Sequence, residues 1–292
     1  MTLIETVEAS AKRLQDAGVA FGHGTTNAFD EAAWLVLWQL GLPLDDLDGV
    51  ADMAVSPEQA DSIDELIAER IATRKPAAYL TREAWLQGVP FYVDERAIVP
   101  RSFIAEVLVD GDIDTWLSES TTNVCDLCTG NGSLAVIAAM VFPDVVVDAI
   151  DISAEALAVA RINVDKHGLH ERVHLIESDG LAKARGPYDL ILCNPPYVNA
   201  QSMAALPDEY KAEPSLALAG GADGMDFIRA LFKDAPAKMS EKAVLILEIG
   251  NERENFENAF PRLEVVWLAT SAGDDQVLLI ARDTLLAFPH RP

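Results

Sequence analysis

The stretch 191–200, ILCNPPYVNA, carries an apolar run into Asn194, Pro195, Pro196 and Tyr197. Asn194 cannot act as a base at neutral pH, but its carboxamide oxygen accepts a hydrogen bond from an amino group. Proline at the next two positions removes N–H donors and fixes φ, leaving carbonyl oxygens as further acceptors. Tyr197 adds a flat face. Together these groups can hold a planar, conjugated amine, such as an amide or a nucleobase amine, with its nitrogen turned to an electrophile. For an electrophile that is already activated, positioning and electrostatics carry most of the rate. Taken alone, the same residues are a Pro-Pro turn that ends a strand.

A second group stands in CDLCTGNGS, residues 125–133. Gly130-x-Gly132-x-x-Ala135 matches a dinucleotide fingerprint, which offers a helix N-terminus to a pyrophosphate and Asp151 to a ribose hydroxyl. Asp126, four residues before the first glycine, suits an ammonium better than a pyrophosphate. Asp179 adds an acid near the place for an adenine, and nothing in the set serves a nicotinamide. A ligand with an amino group, a ribose and no phosphate fits these carboxylates, which favours S-adenosylmethionine over a dinucleotide. The expected cofactor set is Asp126, Cys128, Thr129, Gly130, Gly132, Asp151, Ile152, Asp179 and Asn194.

These groups need a scaffold that brings them to one edge. After Pro100 strand-like and helix-like segments alternate: TNVCDL, GSLAVIAAMVF, VVVDAIDIS, AEALAVARINVDKHG, RVHLIESD and YDLILCNPPY. A helix around 224–239 and the strands AVLILEIG, LEVVWLAT and QVLLIARD follow. This pattern implies a doubly wound α/β sheet, mostly parallel, closed by an antiparallel hairpin. Ligands bind such sheets at the carboxyl ends of the strands, where the acids, the glycine turn and Asn194 all fall. Residues 1–82 read instead as helices, with a Ser56-Pro57-Glu58-Gln59 capping box and an apolar helix around Trp34–Leu40. The segment from Trp85 to Val99 is strand-like, with FYVDERAIVP expected as a hairpin between the halves.

Composition narrows the function. A formal net charge of −25 argues against stable binding to nucleic acid and suits a basic partner. No apolar stretch reaches the length of a spanning helix and no export signal is evident, so a cytoplasmic protein without membrane contact is expected. Cys125, Cys128 and Cys193 are too few for a disulfide framework, and Cys125 and Cys128 read as buried small residues rather than a redox pair. His167, His170 and His174 read as surface and edge histidines, and no metal is expected. The cationic group Arg70, Arg74, Lys75 and Arg82 reads as a solvated helix face and loop. Glu248 either faces the cleft or caps its strand. Gly220, Gly221 and Gly224 read as a turn entering a helix, or as a loop over a peptide substrate.

VCDLCTGNGSLAV, DAIDIS, ESD and LILCNPPYV together resemble the class I S-adenosylmethionine-dependent methyltransferases. Within that class the chain is similar to the HemK/PrmC/PrmB family of protein-glutamine methyltransferases over nearly its whole length. FYVDERAIVPRS and EPSLALAGGADGMD also fit. The resemblance implies a helical substrate-recognition domain (1–82), a β-hairpin linker (83–103) and a methyltransferase domain (104–292). It assigns the cofactor to Thr129, Gly130, Gly132 and Asp151, and the glutamine amide to Asn194 through Tyr197. Asn131 stands where the family more often has serine. Arg101 through Glu106, and Cys128 before Thr129-Gly130, look like the PrmB branch, which implies a glutamine of large-subunit ribosomal protein L-three as the substrate. Release factors, the substrate of the sister branch, are the alternative partner. An adenine of nucleic acid, a nicotinamide oxidoreductase and a non-catalytic ribosome-assembly binder are the remaining alternatives.

Overall fold

A computed structural model describes residues 1–118 and 120–288. The N-terminal helices begin where side chains can take up their free N–H groups. Thr2 caps Leu3–Asp16 and Ser56 caps Pro57–Thr73, each in a reciprocal capping box with the residue three positions on. These two helices and Ala28–Gln39 bury Leu3, Val7, Leu35, Val36, Ile63 and Ile67 in a core of their own.

The link to the second half differs from expectation. Strands β1 (Ala84–Leu86) and β2 (Val89–Phe91) pair antiparallel. Gln87 and Gly88, at φ +50° and +73°, supply the two left-handed residues of a tight hairpin turn. The hairpin therefore ends at Phe91, the first residue of FYVDERAIVP, and residues 92–100 form no strand. Asn163 instead holds that segment. Its side chain exchanges two hydrogen bonds with the Tyr92 backbone, at 2.7 and 2.9 Å, and donates to the Asn131 carbonyl at 2.8 Å.

The main sheet contains β3 (Asn123–Leu127), β4 (Val146–Asp151), β5 (Val173–Glu177), β6 (Tyr188–Cys193), β7 (Met239–Glu248), β8 (Val266–Thr270) and β9 (Gly273–Ala281). Their order is β5-β4-β3-β6-β7-β9-β8; β9 pairs antiparallel with both β7 and β8, and the other described pairs are parallel. Alternate residues serve opposite faces. Val124, Val147, Leu190 and Ile246 pack with helix Ser133–Val141, while Cys125, Ile150, Ile191 and Leu245 pack with helix Asp226–Asp234. The expected doubly wound sheet with a closing hairpin is the observed fold. The chain leaves β3 toward β4 and β5, then returns to β6 on the other side of β3. Ligands bind at such a switch point, and here it lies between the carboxyl ends of β3 and β6.

Arg70 overturns the reading of its cluster as a solvated face. It is fully buried, donates to Glu31 at 2.8 Å and lies 3.5 Å from Glu209. Arg74 meets the same Glu209 carboxylate at 3.3 Å. The apolar spacing of helix Pro57–Thr73 gives no sign of this, because the acids that meet Arg70 stand 39 and 139 residues away. These pairs join the helical domain to the segment that follows the Asn-Pro-Pro-Tyr motif.

Candidate active site

The switch point opens into a cavity of about 260 Å³. Cys128, Gly130, Asp151, Ile152, Asp179, Asn194 and Pro196 line it, together with Leu127, Ile150 and Phe227. Asp151, the last residue of β4, accepts the Gly130 N–H on Oδ2 and the Ser153 N–H on Oδ1, each at 2.9 Å. Burial raises its pKa, against those bonds. A carboxylate offers about four lone-pair sites, so Asp151 keeps capacity for two hydroxyls of a ribose. Asp179 is exposed at the cavity wall, and Ile152 at 50% exposure offers an apolar rim suited to an adenine face.

Three expected cofactor residues do not reach this cavity. Asp126 is fully buried; its Oδ2 accepts the Thr129 hydroxyl at 2.5 Å and the Ala135 N–H at 3.0 Å. Burial raises its carboxyl to about 7, and Oδ1 has no hydrogen-bond partner among the described residues. That buried, orphaned oxygen is what a cationic group would satisfy. Thr129 thus supports Asp126 rather than the cavity wall. Gly132 starts helix Ser133–Val141 at φ +81°, and a Cβ there would lie 3.0 Å from the Ala160 Cβ. Its role in the structure is close helix–helix approach.

A second cavity of about 330 Å³ adjoins the first. Asn194, Pro195, Tyr197, Arg101, Tyr210 and Glu248 line it. Asn194 lines both cavities, and its carboxamide makes no hydrogen bond to the described residues. The register explains the placement: Cys193 pairs with Leu127, so Asn194 leaves β6 beside the turn that follows β3. Tyr197 lies against Gly250, where a Cβ would come within 2.6 Å of the ring, and burial raises its phenol well above the usual range. The backbone beyond it is strapped to the glycine-containing loop by Val198 N–H to Leu218 O and Gly220 N–H to Val198 O, at 2.8 and 2.9 Å.

The sequence reading missed the polar support of this second cavity. Arg101 grips Glu213 through two bonds, at 2.6 and 2.7 Å, and Val99 N–H donates to the same carboxylate at 2.9 Å. Burial alone would raise the Glu213 carboxyl, but Arg101 and His23 hold it down to about 2. The partners lie 112 residues apart, so no local spacing signals them. Glu248 both ends β7 and lines the cavity. It accepts the Ser102 hydroxyl at 2.5 Å, and burial raises its carboxyl to about 7.

Two touching cavities, one with carboxylates at its wall and one with a free carboxamide, match a group transfer between two ligands. The family model of the methyltransferase small domain matches residues 113–208. A ribosomal protein uL3 glutamine methyltransferase of Burkholderia pseudomallei is 51% identical, with 98% of this chain and 96% of the relative covered. One from Bordetella pertussis is 50% identical over 97% of this chain and 96% of the relative. The chain belongs to the family of ribosomal protein uL3 glutamine methyltransferases. The fold agrees beyond this family: the hMettl16 catalytic domain, solved with the MAT2A 3'UTR hairpin 6, superposes with a TM-score of 0.52 at 11% identity, covering 78% of this chain and 82% of that one. As a methyltransferase of this family, the chain uses S-adenosylmethionine. The cavity fits that group, since Asp151 retains acceptor capacity and Gly130 leaves open space where a side chain would stand.

Proposed function

We propose that this protein transfers a methyl group from S-adenosylmethionine to the side-chain amide nitrogen of a glutamine in large-subunit ribosomal protein L-three (uL3). The observation that carries the reading is the position of Asn194, an uncommitted carboxamide on the wall shared by the two cavities. Asp151 and Asp179 hold the ribose and adenine, with Cys128, Gly130 and Ile152 completing the wall. Asp126, Thr129 and Gly132 shape the turn that carries Cys128 and Gly130. Bound S-adenosylmethionine supplies a methyl group already activated by its sulfonium.

The chain's own residues then solve a different problem, because an amide nitrogen is a weak nucleophile. Asn194 Oδ1 accepts one amide N–H, and a backbone carbonyl of the Pro-Pro segment accepts the other. Tyr197 holds the amide plane against its ring. These acceptors draw electron density toward the nitrogen and fix its direction before transfer. The N–H proton departs late, to water. A negative protein surface attracts a basic ribosomal protein and speeds encounter, an effect that salt weakens.

Among the described residues no helix is long and apolar enough to cross a membrane; the proposed site of action is the cytoplasm, on free or early-assembly uL3. Incubation with uL3 and labelled methyl donor tests the reading: label on a glutamine side chain supports it, and label on release factors instead assigns the sister activity.

A further inference from the structure

We propose that the cleft between the helical domain and the β1–β2 hairpin is a second recognition subsite, which takes a lysine or arginine side chain of the substrate protein close to the target glutamine. The inference rests on the glutamine-transfer reading above. The cleft has a volume of about 560 Å³, with Trp34, Leu42, Leu44, Trp85, Val99 and Pro100 as its apolar walls. Trp85 is 47% exposed, yet its indole N–H donates to Glu83 Oε1 at 2.8 Å, so the ring is held in place. Glu83 and Asp45 both line the cleft, and neither forms an ion pair with a described lysine or arginine.

The occupant follows from this chemistry. A long cationic side chain lays its methylene stem along apolar walls and presents its charge at the end. A tryptophan face attracts that charge, and two unpaired carboxylates at the same cleft complete the site. His23 forms a further wall. It is 2% exposed, its Nδ1 has no hydrogen-bond partner among the described residues, and Nε2 lies 3.4 Å from Glu213.

The cleft adjoins the cavity that receives the glutamine. Gly22 lines that cavity and His23 lines the cleft; Arg101 lines that cavity and Pro100 lines the cleft. Two peptide-bonded pairs therefore form the partition between them. An extended substrate segment, advancing ~3.3 Å per residue, passes from one to the other within a few residues. Basic residues flanking the glutamine then decide affinity, while Asn194 decides rate.

Steady-state methylation of purified uL3 by Trp85→Ala, and by the double variant Asp45→Asn/Glu83→Gln, tests the subsite. KM for uL3 should rise about tenfold in each, with kcat and KM for the methyl donor within about twofold of wild type. Trp85→Phe should restore most of the affinity. Alanine replacement of the basic residues beside the methylated glutamine should raise KM for wild type and leave KM of Trp85→Ala unchanged. If Trp85→Ala melts early, the double variant, which alters only charge at the cleft, supplies the same readout. Unchanged KM for uL3 in folded variants overturns the subsite and leaves the transfer reading intact. A wild-type protein that methylates no uL3 overturns the transfer reading and this subsite with it.

Discussion

Replacing Asn194 by alanine should separate rate from stability. Its carboxamide forms no hydrogen bond to the described residues, so truncation breaks no internal contact. A partly exposed side chain of that kind should change unfolding free energy by no more than ~0.5 kcal/mol. Its acceptor oxygen, however, is placed in advance where the amide must lie. Loss of one preorganised hydrogen-bonding group lowers kcat by roughly 100- to 1000-fold, or about 2.7–4 kcal/mol of transition-state stabilisation. Because Asn194 touches the cofactor cavity only at its border with the second one, affinity for S-adenosylmethionine should fall less than the rate. Transfer of labelled methyl to uL3 under saturating donor gives kcat, calorimetry gives donor affinity, and a melting curve checks the fold. Turnover of the folded variant within about threefold of wild type would remove Asn194 from the mechanism, against the loss expected for such a group.

Asp151→Ala should weaken S-adenosylmethionine at least ~10-fold, whereas Tyr197→Ala should leave that affinity nearly intact; equal losses by calorimetry would show that the two cavities have been assigned wrongly. Burial raises Glu248 and Asp126 to about 7 from ordinary values of 4.5 and 3.8, so the folded chain keeps protons that the unfolded chain releases. Their stabilising contribution is complete below pH ~4 and is lost as pH rises through ~7, so Glu248→Gln should gain on wild type most near pH ~8; a gain equal at pH ~5 and ~8 in denaturant titrations would contradict this. Arg70→Ala strands Glu31 in the interior and should cost about 3–5 kcal/mol of unfolding free energy; a loss below ~1 kcal/mol would mean the pair contributes no more than a surface one.

The catalytic half was legible because β4, β5 and β6 lead into residue types that a buried strand does not need. Asp151, Asp179 and Asn194 announce a ligand edge once the alternation of strands and helices sets all of them at the same end of the sheet. The local signals of capping and turn chemistry were equally direct, as at Ser56 and Gly132. Gly132 also packs closely on Ala160, a contact its spacing did not name. A glycine signals close approach without saying what approaches. The hairpin was misplaced because residues 91–100 share the β-rich composition of a strand, while the left-handed pair Gln87-Gly88 that turns the chain lies just before them. Arg70 and the Arg101–Glu213 pair were invisible for a different reason: their carboxylate partners stand 39 or more residues away, and only the packed tertiary structure brings the charges together.

The most direct test of the central proposal is to locate the transferred methyl group by mass spectrometry. Purified protein, S-adenosylmethionine and uL3 from cells lacking this activity should yield a single added methyl on one glutamine side chain. The yield should fall at high salt, as expected for oppositely charged partners, and should be small on mature ribosomes, where the segment is no longer free. A methyl on the glutamine of a release factor, with uL3 left unmodified, would contradict the proposed substrate, and a methyl on adenine would contradict a protein substrate altogether.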